Sequence, residues 1–309
     1  MTDDSCLRPQ IIGTEIFARI APSGRMTIPY GETSFTELKS FYKERAAEQS
    51  KDSKGFLLDG MTLLSDMRAA LLECRKYQKP VYASIAIDGE LMTENELPAD
   101  AALIVMQSMG ALCFAVKSGD PQILINAVRR LRPFAKIPLA VYPESGRLES
   151  GEIKAILSEG ADAFIGLCEE SAAAAENIIS CGLYSFEEPE TEDSIMLANE
   201  RSAFFLEHDT TEFSEPIECS AGMSEELIEA CGQNGYDVLR ILVNSPEDVL
   251  DFADNAHMAT LPVMFCGDSE IAMKHALMLY QGRAMIDSKS LIDPDTMKKS
   301  ARKYGAVIY

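Results

Sequence analysis

Residues 111–141 read ALCFAVKSGDPQILINAVRRLRPFAKIPLAV, and their pattern indicates the fold class of the chain. A short apolar run at 111–116 is followed by a Ser-Gly-Asp turn, and Pro121 then stands where the first turn of a helix tolerates proline. Helical spacing of apolar residues continues to residue 131, and a second apolar run begins at 137. We therefore predict a strand–helix–strand unit with two parallel strands.

The same alternation recurs along the first 184 residues. The apolar runs are short and bounded by turn residues, which is typical of strands buried on both faces of a parallel sheet. The sequence thus predicts an α/β protein, with strands at 15–20, 55–58, 80–87, 111–116, 137–141 and 161–165 and helices at 34–49, 64–77, 100–109, 121–131 and 150–159.

Residues 185–200 differ in composition from the rest. The segment SFEEPETEDS at 185–194 is acidic, contains proline and is poor in apolar residues, which predicts a linker or exposed crossover. Beyond it, strands are predicted at 203–206, 238–243, 261–266, 284–286 and 305–309, with helices at 224–231, 246–255, 270–280 and 293–303. The predicted organisation is a first barrel region at 1–184, a linker at 185–200 and a second, partial βα region at 201–309.

The charge of the chain excludes several classes of partner. Its formal net charge is −21, so phosphate backbones and anionic lipids repel it, and we expect neither a nucleic acid nor a membrane as partner. The eight cysteines are scattered without a CxxC pair, and no apolar stretch resembling a signal peptide follows the polar start. These features predict reduced thiols and a cytoplasmic location.

Four segments together resemble one known family. They are IAPSGRMTIPYGETSF at 20–35, FLLDGMTLLSDMRAAL at 56–71, LRPFAKIPLAVYPESG at 131–146 and GADAFIGLC at 160–168. Collinear and properly spaced, they resemble the homocysteine S-methyltransferase family, including the homocysteine-binding barrel of cobalamin-dependent methionine synthase. The resemblance implies a TIM-barrel-like fold with parallel strands inside and helices outside. It starts at the third strand of the family, which implies an N-terminally truncated barrel.

A shorter resemblance lies near the end of the sequence. The pieces LPVMF at 261–265, GRAMIDS at 282–288 and KYGA at 303–306 are similar to the opening strands of a pterin-binding barrel. The strand-end acids of that barrel fall near Arg240 and Cys266, and its asparagine falls on Asp287. Those acids and that asparagine recognise the pterin in the family, and all three are replaced in this sequence. We therefore assign no folate site here, and we assign no cobalamin site.

The first resemblance also implies a metal site. In the family, three cysteine thiolates hold zinc and leave a fourth position for the substrate sulfur, whose pKa the metal lowers. These positions fall on Ser118, Cys168 and Glu169, so one thiolate remains. Glutamate can bind zinc, but serine is a weak ligand. Cys113 cannot easily replace the missing thiolate, because it lies at the start of the strand, on the order of 13 Å from the end that carries Ser118. We expect little or no zinc, and Cys168 is otherwise an ordinary strand-end cysteine.

The substrate positions implied by the resemblance follow the second predicted strand. The Glu-Thr pair of the family falls on Asp59 and Gly60, and Thr62 lies close behind. Asp59 keeps a charge for an amino group; alternatively it caps the next helix. We assign no catalytic residue. Because active sites of βα barrels occupy the face at the carboxyl ends of the strands, we expect Asp59, Ser118, Cys168 and Glu169 on one rim.

Three functional hypotheses remain open at this point. The first is methyl transfer to a thiol such as homocysteine, as in methionine biosynthesis, with a degraded zinc–thiolate site. The second is a non-catalytic barrel relative that acts as a binding or partner subunit of a corrinoid or one-carbon methyltransferase system. The third is a decayed module of a larger synthase. Fold alone does not decide among them.

Overall fold

The computed structural model describes residues 9–15, 17–189, 194–232 and 235–309. Its first half is a sheet of seven strands in the spatial order β1-β7-β6-β5-β4-β3-β2, and every pairing is parallel. The predicted α/β fold is thereby confirmed, although β1 was not predicted. The strands are β1 (Gln10–Ile12), β2 (Phe17–Ile20), β3 (Gly55–Met61), β4 (Val81–Ala86), β5 (Cys113–Ser118), β6 (Leu139–Pro143) and β7 (Ala163–Ile165).

The two edges of this sheet are close together. β1 and β2 lie at opposite edges, yet only residues 13–16 join them. Neighbouring strands lie about 4.8 Å apart, so the edges of a flat seven-stranded sheet would be about 29 Å apart. The five chain steps from Ile12 to Phe17 span at most about 18 Å. The sheet is therefore curled like the wall of a TIM barrel.

Both faces of the curled sheet are buried, because successive side chains along a strand point to opposite faces. In β5, Cys113 and Ala115 belong to a cluster inside the curl, whereas Phe114 and Val116 belong to the main core beneath the helices. Side chains thus fill the interior, as in TIM barrels. The buried members of this inner cluster are Leu57, Cys113, Ala115, Ala140, Tyr142, Ala163 and Ile165.

Helices α1 to α6 pack on the outer face of the first sheet. Ser34 caps α1 in a capping box with Glu37, and Asp120 caps α4, whose first residue is Pro121. Such caps satisfy backbone N–H groups that have no partner within the helix. The sequence predicted the first five of these helices and missed α6. They are α1 (Phe35–Gln49), α2 (Leu64–Cys74), α3 (Ala99–Ser108), α4 (Pro121–Leu131), α5 (Ser150–Ser158) and α6 (Glu169–Ser180).

The second half contains a hairpin and a five-stranded parallel sheet whose strands follow in chain order. The antiparallel hairpin pairs β8 (Ile195–Ala198) with β9 (Ala203–Leu206). The sheet and its helices are β10 (Phe213–Glu218), α7 (Ser224–Gly232), β11 (Val238–Leu242), α8 (Pro246–Asn255), β12 (Val263–Cys266), α9 (Glu270–Leu279), β13 (Met285–Ile286), α10 (Pro294–Tyr304) and β14 (Val307–Ile308). Short 3₁₀ turns follow α2, α4 and α8 at Arg75–Tyr77, Arg132–Phe134 and Ala256–Met258.

The hairpin covers one face of the second sheet. Ile195 and Leu197 lie in one buried cluster with Val238, Met264 and Met285. The predicted linker therefore ends earlier than residue 200, because residues 195–198 are apolar and gain burial as a strand. Residues 190–193 of that linker lie outside the described residues.

A buried arginine connects the two halves. Arg68 of α2 is completely buried, and its guanidinium donates to the carbonyls of Leu277, at 2.8 Å, and Met278, at 3.2 Å. Hydrogen bonds from charged groups contribute about 1.5–3 kcal/mol each, so these contacts stabilise the packing of the halves.

Among the described residues, no helix is both long enough and apolar enough to cross a membrane.

Candidate functional site

The predicted site residues follow the ends of three parallel strands. Asp59 lies in the last half of β3, Ser118 ends β5, and Cys168 and Glu169 come after β7 at the start of α6. Because β3, β5 and β7 run parallel in one sheet, their carboxyl ends meet at one edge, which we call the mouth. The functional roles of these residues remain predictions.

An ion cluster lies at the mouth. The Asp59 carboxylate accepts a hydrogen bond from Lys117 Nζ at 2.9 Å and two from the Arg19 guanidinium, one of them from Nε at 2.9 Å. The side chains of Asp59, Lys117 and Arg19 are 10%, 20% and 53% exposed. Tyr142 contacts both cations: Lys117 Nζ lies 4.7 Å from its ring centroid, and Arg19 donates to its hydroxyl at 3.4 Å. With one acid and two bases, the cluster carries one net positive charge.

The cations set the ionisation of Asp59. Burial raises the pKa of Asp59, but the hydrogen bonds from Arg19 and Lys117 outweigh burial and hold that pKa below its ordinary value. The same hydrogen bond raises the pKa of Arg19 despite its partial burial. Asp59 is therefore ionised and already paired twice, and a substrate amino group would have to displace one of the cations.

The alternative role of Asp59 as a helix cap is wrong. The N-cap position of α2 is Leu63, which makes no side-chain capping bond. The two other predicted substrate residues shape the backbone around the mouth. Gly60 has a φ of +63°, and its N–H donates to Ser84 Oγ at 2.8 Å. The Thr62 hydroxyl accepts from the Asn95 amide at 2.9 Å.

Cys168 is a half-buried thiol directly before α6. Its Sγ lies 3.5 Å from Ser171 Oγ, and its own N–H donates to the carbonyl of Gly146 at 2.8 Å. The pKa of Cys168 is lowered, chiefly by its hydrogen bond with the Ser171 side chain and also by backbone N–H groups of α6. A thiol of this kind forms thiolate more readily than an ordinary cysteine.

The residues at the predicted metal positions do not fit a zinc ion. Ser118 is only 6% exposed and accepts an N–H bond from Asp120 at 3.4 Å. By strand alternation it lies on the helix-facing side of β5, whereas Glu169 is exposed to solvent on α6. Among the described residues, no three His, Cys, Asp or Glu side chains gather closely enough to hold a metal ion. Burial raises the pKa of Cys113 to about 12, and it lies at the far end of β5.

Sequence analysis missed the cations of the cluster. A signal was present for Lys117, since a lysine stands among apolar residues in the run Cys113–Ser118. Alternation places Lys117 on the same face as Cys113 and Ala115, toward the interior. Its partners on other strands depend on how the sheet curls, which local sequence does not specify.

The second sheet carries its own charged group on the face beneath the hairpin. Arg240 lies 3.4 Å from Asp287, and burial raises the pKa of Cys266 beside them. These are the three positions to which the sequence resemblance assigned the acids and the asparagine of a pterin-binding barrel. An arginine–aspartate pair already joins two of them, so no folate site is assigned.

Comparison with known proteins points to one family. A family model described as "Homocysteine S-methyltransferase" matches residues 4–181, more than half of the chain and all of the first sheet. "Homocysteine S-methyltransferase 1" of Arabidopsis thaliana is 26% identical over 142 residues, and the Brassica oleracea var. italica protein of the same name is 25% identical over 142 residues. Each alignment covers 44% of this chain and 44% of the relative, so the chain matches less than half the length of either.

A solved structure was also found. It is the homocysteine methyltransferase of Escherichia coli in its apo form, with a TM-score of 0.44 and 16% sequence identity. The match covers 52% of this chain and 61% of that chain.

Proposed function

Because this chain belongs to the homocysteine S-methyltransferase family, we propose that it transfers a methyl group to a small thiol, such as homocysteine, at the mouth of the first sheet. The match of the family model over residues 4–181 carries the proposal. The mouth is supported as the location because parallel βα barrels place their active sites at the carboxyl ends of the strands.

The reaction needs a thiolate. Its sulfur attacks the methyl carbon and forms a carbon–sulfur bond, while the bond from that carbon to the donor breaks and the donor keeps the electron pair. Positive charge nearby favours loss of the thiol proton. Arg19, Lys117 and Asp59 together supply one net positive charge. We therefore propose that Lys117 stabilises the substrate thiolate.

The more exposed cation suits another part of the substrate. Arg19 is 53% exposed, and a guanidinium can bind a carboxylate with two parallel hydrogen bonds. We propose that Arg19 binds the carboxylate of an amino-acid thiol and that Asp59 holds both cations in place. In the family-based prediction Asp59 bound the amino group instead, and the existing pairs of Asp59 argue against that role.

Zinc has no step in this proposal, because the donor set at the mouth is reduced to one thiol. We expect methyl transfer to homocysteine to be weak, since a bound metal would otherwise deprotonate the thiol near neutral pH. Cys168 is the one thiol left among the three predicted metal positions, and its lowered pKa makes it the residue to test by substitution with serine.

The test is methionine formation from homocysteine with a methylsulfonium donor and, separately, methylcobalamin. We expect slow turnover that a chelator leaves unchanged. Lys117→Met should lower kcat/KM at least about tenfold, because one charge–charge contact contributes about 1.4 kcal/mol or more in a partly buried site. The matched control is Lys43→Met on the exposed side of α1. Turnover that needs zinc, or that is the same in Lys117→Met, would overturn the proposal.

A non-catalytic role is the second candidate function, because only one of the three predicted metal positions carries a thiol. The chain would then be a non-catalytic subunit that binds a thiol or a corrinoid methyltransferase partner. Homocysteine binding by calorimetry without methionine formation under either donor would support this role. Turnover well above that of Lys117→Met would exclude it.

A further inference from the structure

A cavity of about 230 Å³ lies between the two halves of the chain, and neither the ion cluster of the mouth nor Cys168 lines it. Its wall comes from the loop after β2, the start of α1, the turn of the β8–β9 hairpin, the end of α8 and the end of α9. Pockets for drug-sized ligands measure roughly 300–1,000 Å³. This cavity therefore suits a smaller, metabolite-sized molecule.

Two acidic side chains line the wall, Glu200, which is half-buried, and Asp254, which is exposed to solvent. Among the described residues, no cationic nitrogen lies within 4 Å of the Glu200 carboxylate, although Arg68 of α2 and the neighbouring Arg201 exert attraction from farther away. Burial raises the pKa of Glu200 to about 7. Arg68 is engaged with carbonyls of α9, and Arg201 donates to the Tyr30 hydroxyl at 2.9 Å. The acid is thus available to a cation from outside.

Two further polar atoms in the wall are buried without a partner among the described residues. They are the Tyr280 hydroxyl and Nδ1 of His257. Tyr280 is only 6% exposed. A buried polar group without a hydrogen bond costs about 1–3 kcal/mol, so a ligand that bonds to these atoms recovers that cost. A hydroxyl oxygen accepts hydrogen bonds, and so does Nδ1 of a neutral imidazole whose proton is on Nε2.

The rest of the wall is mostly apolar and aromatic. Ile28, Leu250 and Leu279 supply aliphatic surface, and the rings of Tyr30 and Tyr280 supply aromatic faces. Aromatic faces attract ammonium groups. An apolar wall with a few polar groups is typical of small-molecule sites.

We propose that this cavity binds a small primary amine with an apolar substituent. The ammonium group pairs with the Glu200 carboxylate, and Tyr280 and His257, which carry acceptor atoms, line the same cavity. The apolar substituent packs against the aliphatic wall. A carboxylate ligand would face the unpaired Glu200, and the net charge of −21 favours cations over anions throughout the molecule.

The test is calorimetric titration of the full chain at pH 8 with isopentylamine, and with isopentanol as the uncharged probe of the same shape. We expect saturable binding of the amine at least about tenfold tighter than that of the alcohol. Glu200→Gln and Tyr280→Phe should each weaken amine binding, the former at least about tenfold. The control is Glu229→Gln on the exposed face of α7, which should bind as wild type does.

A pH series of the wild-type protein keeps the proposal testable even if a variant does not fold. Ionised Glu200 rises from about one tenth of molecules at pH 6 to about nine tenths at pH 8, so amine affinity should rise about tenfold. Other titratable or charged groups lie near the ligand or act on Glu200; they are His257, His275, Asp254, Tyr280, Arg68 and Arg201. The same pH series on Glu200→Gln separates their effect from that of Glu200, and the rise in affinity should largely vanish there. Equal affinity for amine and alcohol, a flat pH series, or tighter binding of tetramethylammonium than of isopentylamine would overturn the proposal.

Discussion

Replacing Glu200 with glutamine should stabilise the protein at pH 8 and do so much less at pH 5. Burial raises the pKa of Glu200 from 4.5 to about 7, so the folded state binds this proton more tightly than the unfolded chain does. The carboxyl therefore destabilises the fold as the pH rises above 4.5, and the loss is complete once the pH exceeds 7. At about 1.36 kcal/mol per pKa unit, the full loss is about 3 kcal/mol.

The gain from Glu200→Gln should then be about 1 kcal/mol at pH 5 and about 3 kcal/mol at pH 8. The higher figure corresponds to a rise in Tm of about 6 °C for a chain of this size. The assay is urea unfolding followed by circular dichroism at both pH values, with Glu229→Gln as control, whose free energy of unfolding should change by less than about 0.5 kcal/mol. A variant that is less stable than wild type at pH 8, or equally stabilised at both pH values, would refute the reasoning.

Three further changes test the mouth and the contact between the halves. Asp59→Asn leaves two cations without their shared acid and should lower the free energy of unfolding by about 2 kcal/mol. The control is Asp100→Asn, which removes one pair with the exposed Arg130 and should cost less than about 1 kcal/mol; equal losses would contradict the cluster. Cys168 should react with iodoacetamide at pH 7.5 faster than the other cysteines, as mapped by mass spectrometry, and Ser171→Ala should slow it, since that hydrogen bond lowers the pKa. Arg68→Met should lower the free energy of unfolding measured in urea by about 3 kcal/mol, because carbonyls at the end of α9 lose a buried donor. An unchanged urea midpoint would show that the packing of the two halves does not depend on Arg68.

Much of the fold could be predicted because its signals are local. The helix Pro121–Leu131 was predicted to the residue, since Asp120, Pro121 and the apolar spacing mark its start and its buried face. Four elements were missed: β1 and α6 in the first half, and β8 and β10 in the second. The strand Gln10–Ile12 has three residues, too few for a pattern. The helix Glu169–Ser180 did have a signal, two glutamates in its first turn and a run of alanines.

The site could be predicted only in part. Strand ends gave the positions of Asp59 and Cys168, because apolar runs end there. The pairing of Asp59 with Lys117 and Arg19 joins three strands, and it depends on the curl of the sheet and on register. The cavity at Glu200 lies between segments far apart in the sequence, and no local pattern specifies such packing.

The zinc content of the purified wild-type protein is the sharpest test of the proposed function. We propose methyl transfer at a mouth where the predicted metal positions Ser118, Cys168 and Glu169 keep one thiol. After incubation with zinc and dialysis, elemental analysis should find less than about 0.1 zinc per chain, because structural and catalytic zinc sites need three or four donors. About one zinc per chain, lost in Cys168→Ser, would contradict the account.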